Sequence, residues 1–146
     1  MSEFLFDTTV FVYATGREHP YRSACRTIVA RAGRGEGSGA ASVQVIHELA
    51  HLTLRRTGDR DSARARAQAA AAVCRRVHEC DRHDLEVALD LLVSHGRLTL
   101  ADAITAATAL NRGIDSVLSA DRGFDGIPGL KRIDPVDTRA VAELLG

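Results

Sequence analysis

Four carboxylates stand where the pattern of the chain changes. Asp7 closes the short apolar run Phe4-Leu5-Phe6, and Asp121 closes Ser116-Val117-Leu118-Ser119-Ala120. Glu48 lies on a helix expected to start at Ser42, and Asp102 lies in the first turn of a helix that Thr99 would cap. Each acid has a local explanation: a turn for Asp7 and Asp121, a solvated helix face for Glu48, a capping box in Thr99-Leu-Ala-Asp102. Gathered in one cleft, however, four ionised carboxylates repel strongly, and only cations make such a site tolerable. An all-oxygen donor set suits hard ions such as Mg2+ or Mn2+, which orient water and stabilise both oxygens of an in-line phosphoryl displacement. The chemistry implied is phosphodiester hydrolysis.

A competing constellation occupies the same helix. His47-Glu48-Leu49-Ala50-His51 matches the HExxH signature of zinc metallopeptidases, with both imidazoles on one helix face and Glu48 as general base. Such a site needs a third protein ligand. The longer form of the motif continues with a glycine and a third histidine, where this chain has Leu54 and Thr57, and no Glu occurs between Glu48 and Glu79. The peptidase reading also leaves Asp7, Asp102 and Asp121 without a role. Cys74, His78 and Cys80 form a weaker zinc candidate that lacks a fourth ligand at the usual spacing. A third class is a non-catalytic RNA-binding module, in which Arg55, Arg56, Arg60, Arg64, Arg66, Arg75 and Arg76 would grip a phosphate backbone without cleaving it. Aromatic residues are only 4% of the chain, which argues against a base-stacking platform.

The elements that must position these residues follow from periodicity. Phe4-Leu5-Phe6-Asp7, followed by Val10-Phe11-Val12-Tyr13 with Gly16 and Pro20 marking a break, reads as a buried strand and a turn. Ala24, Ile28 and Val29 place a helix over residues 20–32, and Ala40-Ala41-Ser42 a second strand. Val45, Leu49 and Leu52 define a helix ending near Gly58, and an Ala- and Arg-rich helix is expected from Asp61 to His78. A further helix spans about His83 to Ser94, with Val87, Leu91 and Leu92 inward. The helix capped by Thr99 runs to Gly113, and its many Ala side chains suit close packing on a sheet. Ser116–Ala120 and Leu130–Ile133 supply the last strands. Strands alternating with helices imply βαβ units: an α/β three-layer sandwich with a mainly parallel central sheet flanked by helices. In such sheets ligands sit beyond the carboxyl ends of the strands, where Asp7 and Asp121 both fall.

Composition agrees with this reading and excludes others. The 146 residues suffice for one domain, expected to span 1–146, and 45% hydrophobic with 26% charged residues excludes disordered, collagenous and coiled-coil classes. No membrane segment or signal peptide is apparent, so a cytoplasmic protein with its three cysteines as thiols is expected. The 19 cations balance 19 acids overall, but residues 1–76 carry an excess of five positive charges and residues 77–146 an equal negative excess. One face could therefore be basic and another acidic.

From Phe4 to Pro135 the sequence resembles the PIN-domain ribonucleases, and within them the VapC-type toxins of bacterial type II toxin–antitoxin pairs. The likeness is carried by Phe4-Leu-Phe-Asp7-Thr-Thr9, Ser42-Val-Gln-Val-Ile-His-Glu48-Leu, Leu98-Thr-Leu-Ala-Asp102-Ala and Ser119-Ala-Asp121-Arg-Gly-Phe124, with Pro128-Gly-Leu-Lys-Arg-Ile-Asp-Pro135. It implies a PIN-like fold and a metal-dependent endoribonuclease in which Asp7, Glu48, Asp102 and Asp121 form the metal-binding quartet. Asp7 and Asp102 would be direct ligands of Mg2+ or Mn2+, with Glu48 and Asp121 in outer or second-metal roles. Thr9 keeps a hydroxyl where the family more often has Ser or Asn, and Asp125 is either an auxiliary acid or, as the favoured reading, a loop residue. The partners implied are an RNA substrate, a cognate antitoxin and a second copy of the chain in a homodimer.

Overall fold

The computed structural model describes residues 2–146. The chain runs β1 (Phe4–Phe6), α1 (Thr8–Thr15), α2 (Arg22–Gly33), β2 (Gly39–Ser42), α3 (Val43–Thr57), α4 (Arg60–Val73), β3 (Arg76–His78), α5 (Arg82–Ser94), α6 (Leu100–Asn111), β4 (Ser116–Leu118), a 3-10 turn (Arg122–Phe124), β5 (Lys131–Ile133) and α7 (Thr138–Leu145). The five strands form one sheet in the order β3-β2-β1-β4-β5, and every pairing is parallel.

The central strand explains the layering. Phe4, Leu5 and Phe6 are all fully buried, as expected of a parallel strand covered on both faces. Side chains alternate across a strand. Phe4 and Phe6 therefore join a core with Val10, Ile28, Val45, Leu49, Ala70 and Leu145, whereas Leu5 joins Ala88, Ala103, Ala106, Ala107, Val117 and Phe124 on the other face. The Phe4 and Phe6 rings meet edge to face at 5.1 Å, and a Cβ on Gly39 would run into the Phe6 ring, so glycine is what lets β2 lie beside β1. On the other face the buried alanines of α6 bring that helix, and Asp102 with it, close to the sheet.

Two stretches depart from the sequence expectation. Val10–Tyr13 is helix, part of α1, where the sequence reads as a strand and a turn with no helix. The β-branched and aromatic residues there bias the backbone toward strand or turn locally, but Val10, Phe11 and Ala14 bury one helical face on the sheet, and tertiary packing decides. The helix expected from Asp61 to His78 stops at Val73, and Arg76–His78 is β3 instead. Cys74 turns extended, the Arg75 N–H donates to the Gly39 carbonyl at 2.8 Å, and β3 pairs with β2 from Ala40–Arg76 to Ser42–His78. On α5, Val87, Leu91 and Leu92 are only half-buried; the buried positions are Asp84 and Ala88.

Asp84 locks α5 to the end of α6. Its carboxylate, 1% exposed, accepts from Arg112 Nη1 (2.9 Å) and Nη2 (3.0 Å), from Asn111 Nδ2 (2.8 Å) and from the Asp81 N–H (2.9 Å). Burial alone would raise its pKa, yet the Arg112 fork and the other donors bring it down to about 2.

Candidate active site

Asp7 leaves β1 at its carboxyl end, beside β4, where its N–H donates to the Leu118 carbonyl at 3.0 Å. Its carboxylate is 2% exposed and accepts from Ser119 Oγ (2.6 Å) and Thr9 Oγ1 (2.9 Å) through the same oxygen, Oδ2. Burial raises its pKa, and the two hydroxyls oppose that rise. Glu48 reaches the same region from α3, whose first turn is capped by the Ser42 hydroxyl. Its Oε2 accepts from Thr8 Oγ1 at 3.0 Å. Burial raises the Glu48 pKa, with the charge of Asp7 adding to the rise while Thr8, His47 and His51 counter it.

Asp102 comes in from the start of α6. The Thr99 hydroxyl accepts from its N–H at 3.1 Å, so the cap expected from the sequence is present. The carboxyl of Asp102 faces Asp7 and Asp121: at 7% exposure its pKa is pushed up to about 8, by burial first, then by the charge of Asp7 and by Asp121 within hydrogen-bonding reach. Asp121 follows β4 and does serve as a turn residue, accepting from the Gly123 N–H at 2.8 Å, while its own N–H donates to Ser119 Oγ at 2.9 Å. All four expected acids thus converge beyond the carboxyl ends of β1 and β4.

Three further groups belong to this network. Ser119, fully buried, bridges Asp7 to the backbone of Asp121. Thr8 and Thr9 divide their hydroxyls between Glu48 and Asp7. The signal for them was adjacency: Thr8-Thr9 follows Asp7, and Ser119 precedes Asp121 by two. Asp125 stands apart from the quartet and pairs with Arg132 Nε at 2.7 Å.

The donor set is all oxygen, with Asp7 and Asp102 buried and Glu48 and Asp121 half-buried, which suits a hard divalent ion. Among the described residues no three His, Cys, Asp or Glu side chains are drawn together tightly enough to hold a metal ion by themselves. Mg2+ does not require such a cage, since it keeps several waters and takes one or two carboxylates plus substrate oxygens. A structural or catalytic zinc does require three or four protein ligands. His47 and His51 stack on the exposed face of α3 with ring centroids 6.3 Å apart. Cys74 Sγ donates to the Ala70 carbonyl, His78 bonds to Glu3, and Cys80 Sγ lies 3.6 Å from Thr108 Oγ1, so that second zinc candidate is dispersed. Arg55, Arg56, Arg60, Arg64, Arg75 and Arg76 are exposed and Arg66 half-buried, along α3, α4 and the start of β3.

Comparison with known proteins identifies the family and the fold. The PIN domain family matches residues 4–130. Ribonuclease VapC7 of Mycobacterium tuberculosis is 33% identical over 143 residues, 97% of each chain. The crystal structure of Mycobacterium tuberculosis VapC20, a sarcin-ricin loop cleaving toxin, superposes with a TM-score of 0.67 at 20% identity, covering 87% of this chain and 98% of that one. VapBC2 from Rickettsia felis, bound to a DNA fragment from its promoter, gives 0.66 at 13% identity over 90% and 98%. With that match over most of its length and a relative one-third identical from end to end, the chain belongs to the PIN domain family.

Proposed function

We propose that this chain is a Mg2+- or Mn2+-dependent endoribonuclease and the toxin of a type II toxin–antitoxin pair, working as one domain over residues 1–146. The observation that carries the reading is the convergence of Asp7, Glu48, Asp102 and Asp121 from β1, α3, α6 and the end of β4 onto one partly buried, all-oxygen site. The ribonuclease names of its relatives support the same activity.

Asp7 and Asp102 would hold the ion directly, with Glu48 and Asp121 completing the site through the outer shell or a second ion. A divalent ion there would supply Lewis acidity toward the phosphate and a lowered pKa for bound water. Ser119 and Thr9 keep the Asp7 carboxylate in one orientation, and Thr8 does the same for Glu48. The reaction adds water to a backbone phosphorus and releases a ribose oxygen. Exposed arginines, Arg122 beside the cleft and those of α3 and α4, would hold the flanking phosphates.

The structural neighbours include toxin–antitoxin complexes, which supports a cognate antitoxin as partner. A homodimer is supported by Leu85, Leu89 and Val93, which recur every four residues on α5 and are exposed, Val93 by 87%. No helix among the described residues is long and apolar enough to cross a membrane. The deciding experiment is RNA cleavage by purified protein with Mg2+, with Mn2+ and with chelator. Cleavage in either metal and none in chelator supports the reading, and RNA left intact under all three conditions refutes it.

A further inference from the structure

Three rings meet at the turn between α1 and α2. Tyr13, in the last two turns of α1, stacks on His19 with centroids 4.2 Å apart and planes 13° apart, and Tyr21, which precedes α2, lies 5.7 Å from Tyr13 and 5.8 Å from His19. His19 is exposed and both tyrosines are half-buried, so the imidazole, backed by Tyr13 and flanked by Tyr21, is the ring most open to solvent. The rings are held in place. The Tyr21 N–H donates to His19 Nδ1 at 3.1 Å, and the Tyr21 hydroxyl donates to Asp134 Oδ2 at 3.1 Å. Low aromatic content concealed this cluster, because one of its three members is a histidine.

Its position is informative. Asp134 Oδ2 also receives Arg132 Nη1 at 3.4 Å, the same Arg132 nitrogen donates to the Ser119 carbonyl at 3.1 Å, and Ser119 Oγ donates to Asp7. Three residues, Asp134, Arg132 and Ser119, the last through both its carbonyl and its hydroxyl, therefore link the aromatic cluster to the carboxylate of Asp7. Both places lie beyond the carboxyl ends of the strands, on one rim of the sheet. The guanidiniums of Arg132 and Arg122 also act on the Tyr21 phenol, opposing part of the rise that burial and Asp134 cause in its pKa. A strand of RNA whose phosphate sits at the carboxylates would run past cations onto a rigid ring surface.

We propose that Tyr13, His19 and Tyr21 form a stacking platform for an unpaired nucleobase that flanks the phosphate held at the carboxylates. The proposal rests on the ribonuclease reading above and adds the side chains that would hold a base beside the scissile phosphate. Every base offers a π face, so the platform is tolerant of sequence. It requires a base free of its neighbours, and it therefore favours loops and single strands over duplex, whose bases are already stacked.

The test uses the full chain with Asp7→Asn, which silences cleavage, and an oligouridylate carrying one 2-aminopurine, whose fluorescence falls on stacking. Saturable quenching is expected. His19→Ala should remove the quenching and raise Kd roughly 5- to 150-fold, the equivalent of about 1–3 kcal/mol for one stacked base. His19→Phe should restore both, and Tyr13→Leu should repeat the His19→Ala result. The same oligomer made abasic at every position should raise Kd similarly and make binding insensitive to His19→Ala, a coupling that a role confined to holding the loop would not produce. Thermal melting of each variant identifies any that has lost its fold, for which the abasic comparison on the parent protein stands alone. Equal Kd for intact and abasic RNA, or for His19→Ala and its parent, overturns the platform while cleavage by the unmodified chain preserves the nuclease. Absence of both RNA binding and cleavage overturns both.

Discussion

Ser119 Oγ donates a 2.6 Å hydrogen bond to Asp7 Oδ2 across 112 residues of sequence. Since Asp7 ends β1 and Ser119 follows β4, the bond fastens two neighbouring strands at the point where their carboxyl ends open into the acidic cleft. The same hydroxyl accepts from the Asp121 N–H. One side chain thus orients one proposed ligand and anchors the loop of another. Ser119→Ala should weaken Mn2+ affinity roughly 10- to 100-fold, as removal of a group that orients a metal ligand does. Isothermal titration measures it, and an unchanged affinity would show that Ser119 orients nothing that the metal uses.

Asp7→Asn and Asp102→Asn should each abolish metal-dependent RNA cleavage. The amide keeps the shape of the carboxyl and removes the charge that holds the cation. Rates like those of the unmodified protein in both variants would remove the quartet from the chemistry.

The parts of this site that the sequence made legible are those set by local pattern. Asp7 and Asp121 end apolar runs because buried parallel strands must be apolar on both faces, and their ends are where a polar residue can first appear. The cap at Thr99 fixed the start of α6, and with it the place of Asp102. What local pattern could not supply was set by distant contacts. Val10–Tyr13 reads as strand or turn until the sheet beneath it is known, and Arg75-Arg76 continues a helical composition until Gly39 claims the Arg75 N–H. Thr8 and Glu48 meet across 40 residues, so the hydroxyl had no visible purpose beside Asp7. Spacing also misled: His47 and His51 meet the HExxH rule, yet they lie on the exposed face of α3.

That exposed pair gives a clean discrimination. His47→Gln and His51→Gln should leave most of the nuclease activity intact, whereas Glu48→Gln, which disturbs the group bonded to Thr8, should reduce it. A zinc peptidase requires all three. Stoichiometric zinc that co-purifies and disappears in both His variants would contradict the hard-ion site.

Asp84 and Arg112 predict an acid-sensitive step in stability. The folded-state pKa of Asp84 is about 2, below the ordinary value of 3.8, so its contribution is present above about pH 4 and is lost as pH falls through 2. With the side chain 1% exposed, that shift corresponds to roughly 2–3 kcal/mol. Asp84→Asn should destabilise the protein at neutral pH by roughly 2–3 kcal/mol, the size of that shift, because the charge-assisted bonds to the partly exposed Arg112 are weakened. The gap between the two proteins should narrow between about pH 5 and 2. Urea unfolding at several pH values checks this, and a constant gap would mean that the Asp84 charge contributes nothing.

The last prediction asks whether the acids interact in solution as their geometry indicates. The carboxyl of Asp102 is pushed from 3.8 to about 8 by burial and by Asp7 and Asp121, which means that its charged form is disfavoured in the folded chain. Divalent ions that bind only the folded state should stabilise it by RT ln(1 + [L]/Kd), about 2.7 kcal/mol when free metal is roughly a hundred times Kd. The melting temperature should therefore rise with Mg2+ or Mn2+. Asp102→Asn removes a carboxyl that must either ionise against Asp7 and Asp121 or take up a proton on folding, so without metal it should melt no lower than the unmodified protein, and its response to metal should shrink. If the helix cap were the whole role of Asp102, the pattern would reverse. The weakened first turn would lower the metal-free melting point, because a negative charge there favours the helix dipole, and the response to metal would be undiminished. Calorimetry of both proteins in chelator and in excess Mn2+ separates the two outcomes, and the reversed pattern would take Asp102 out of the metal site.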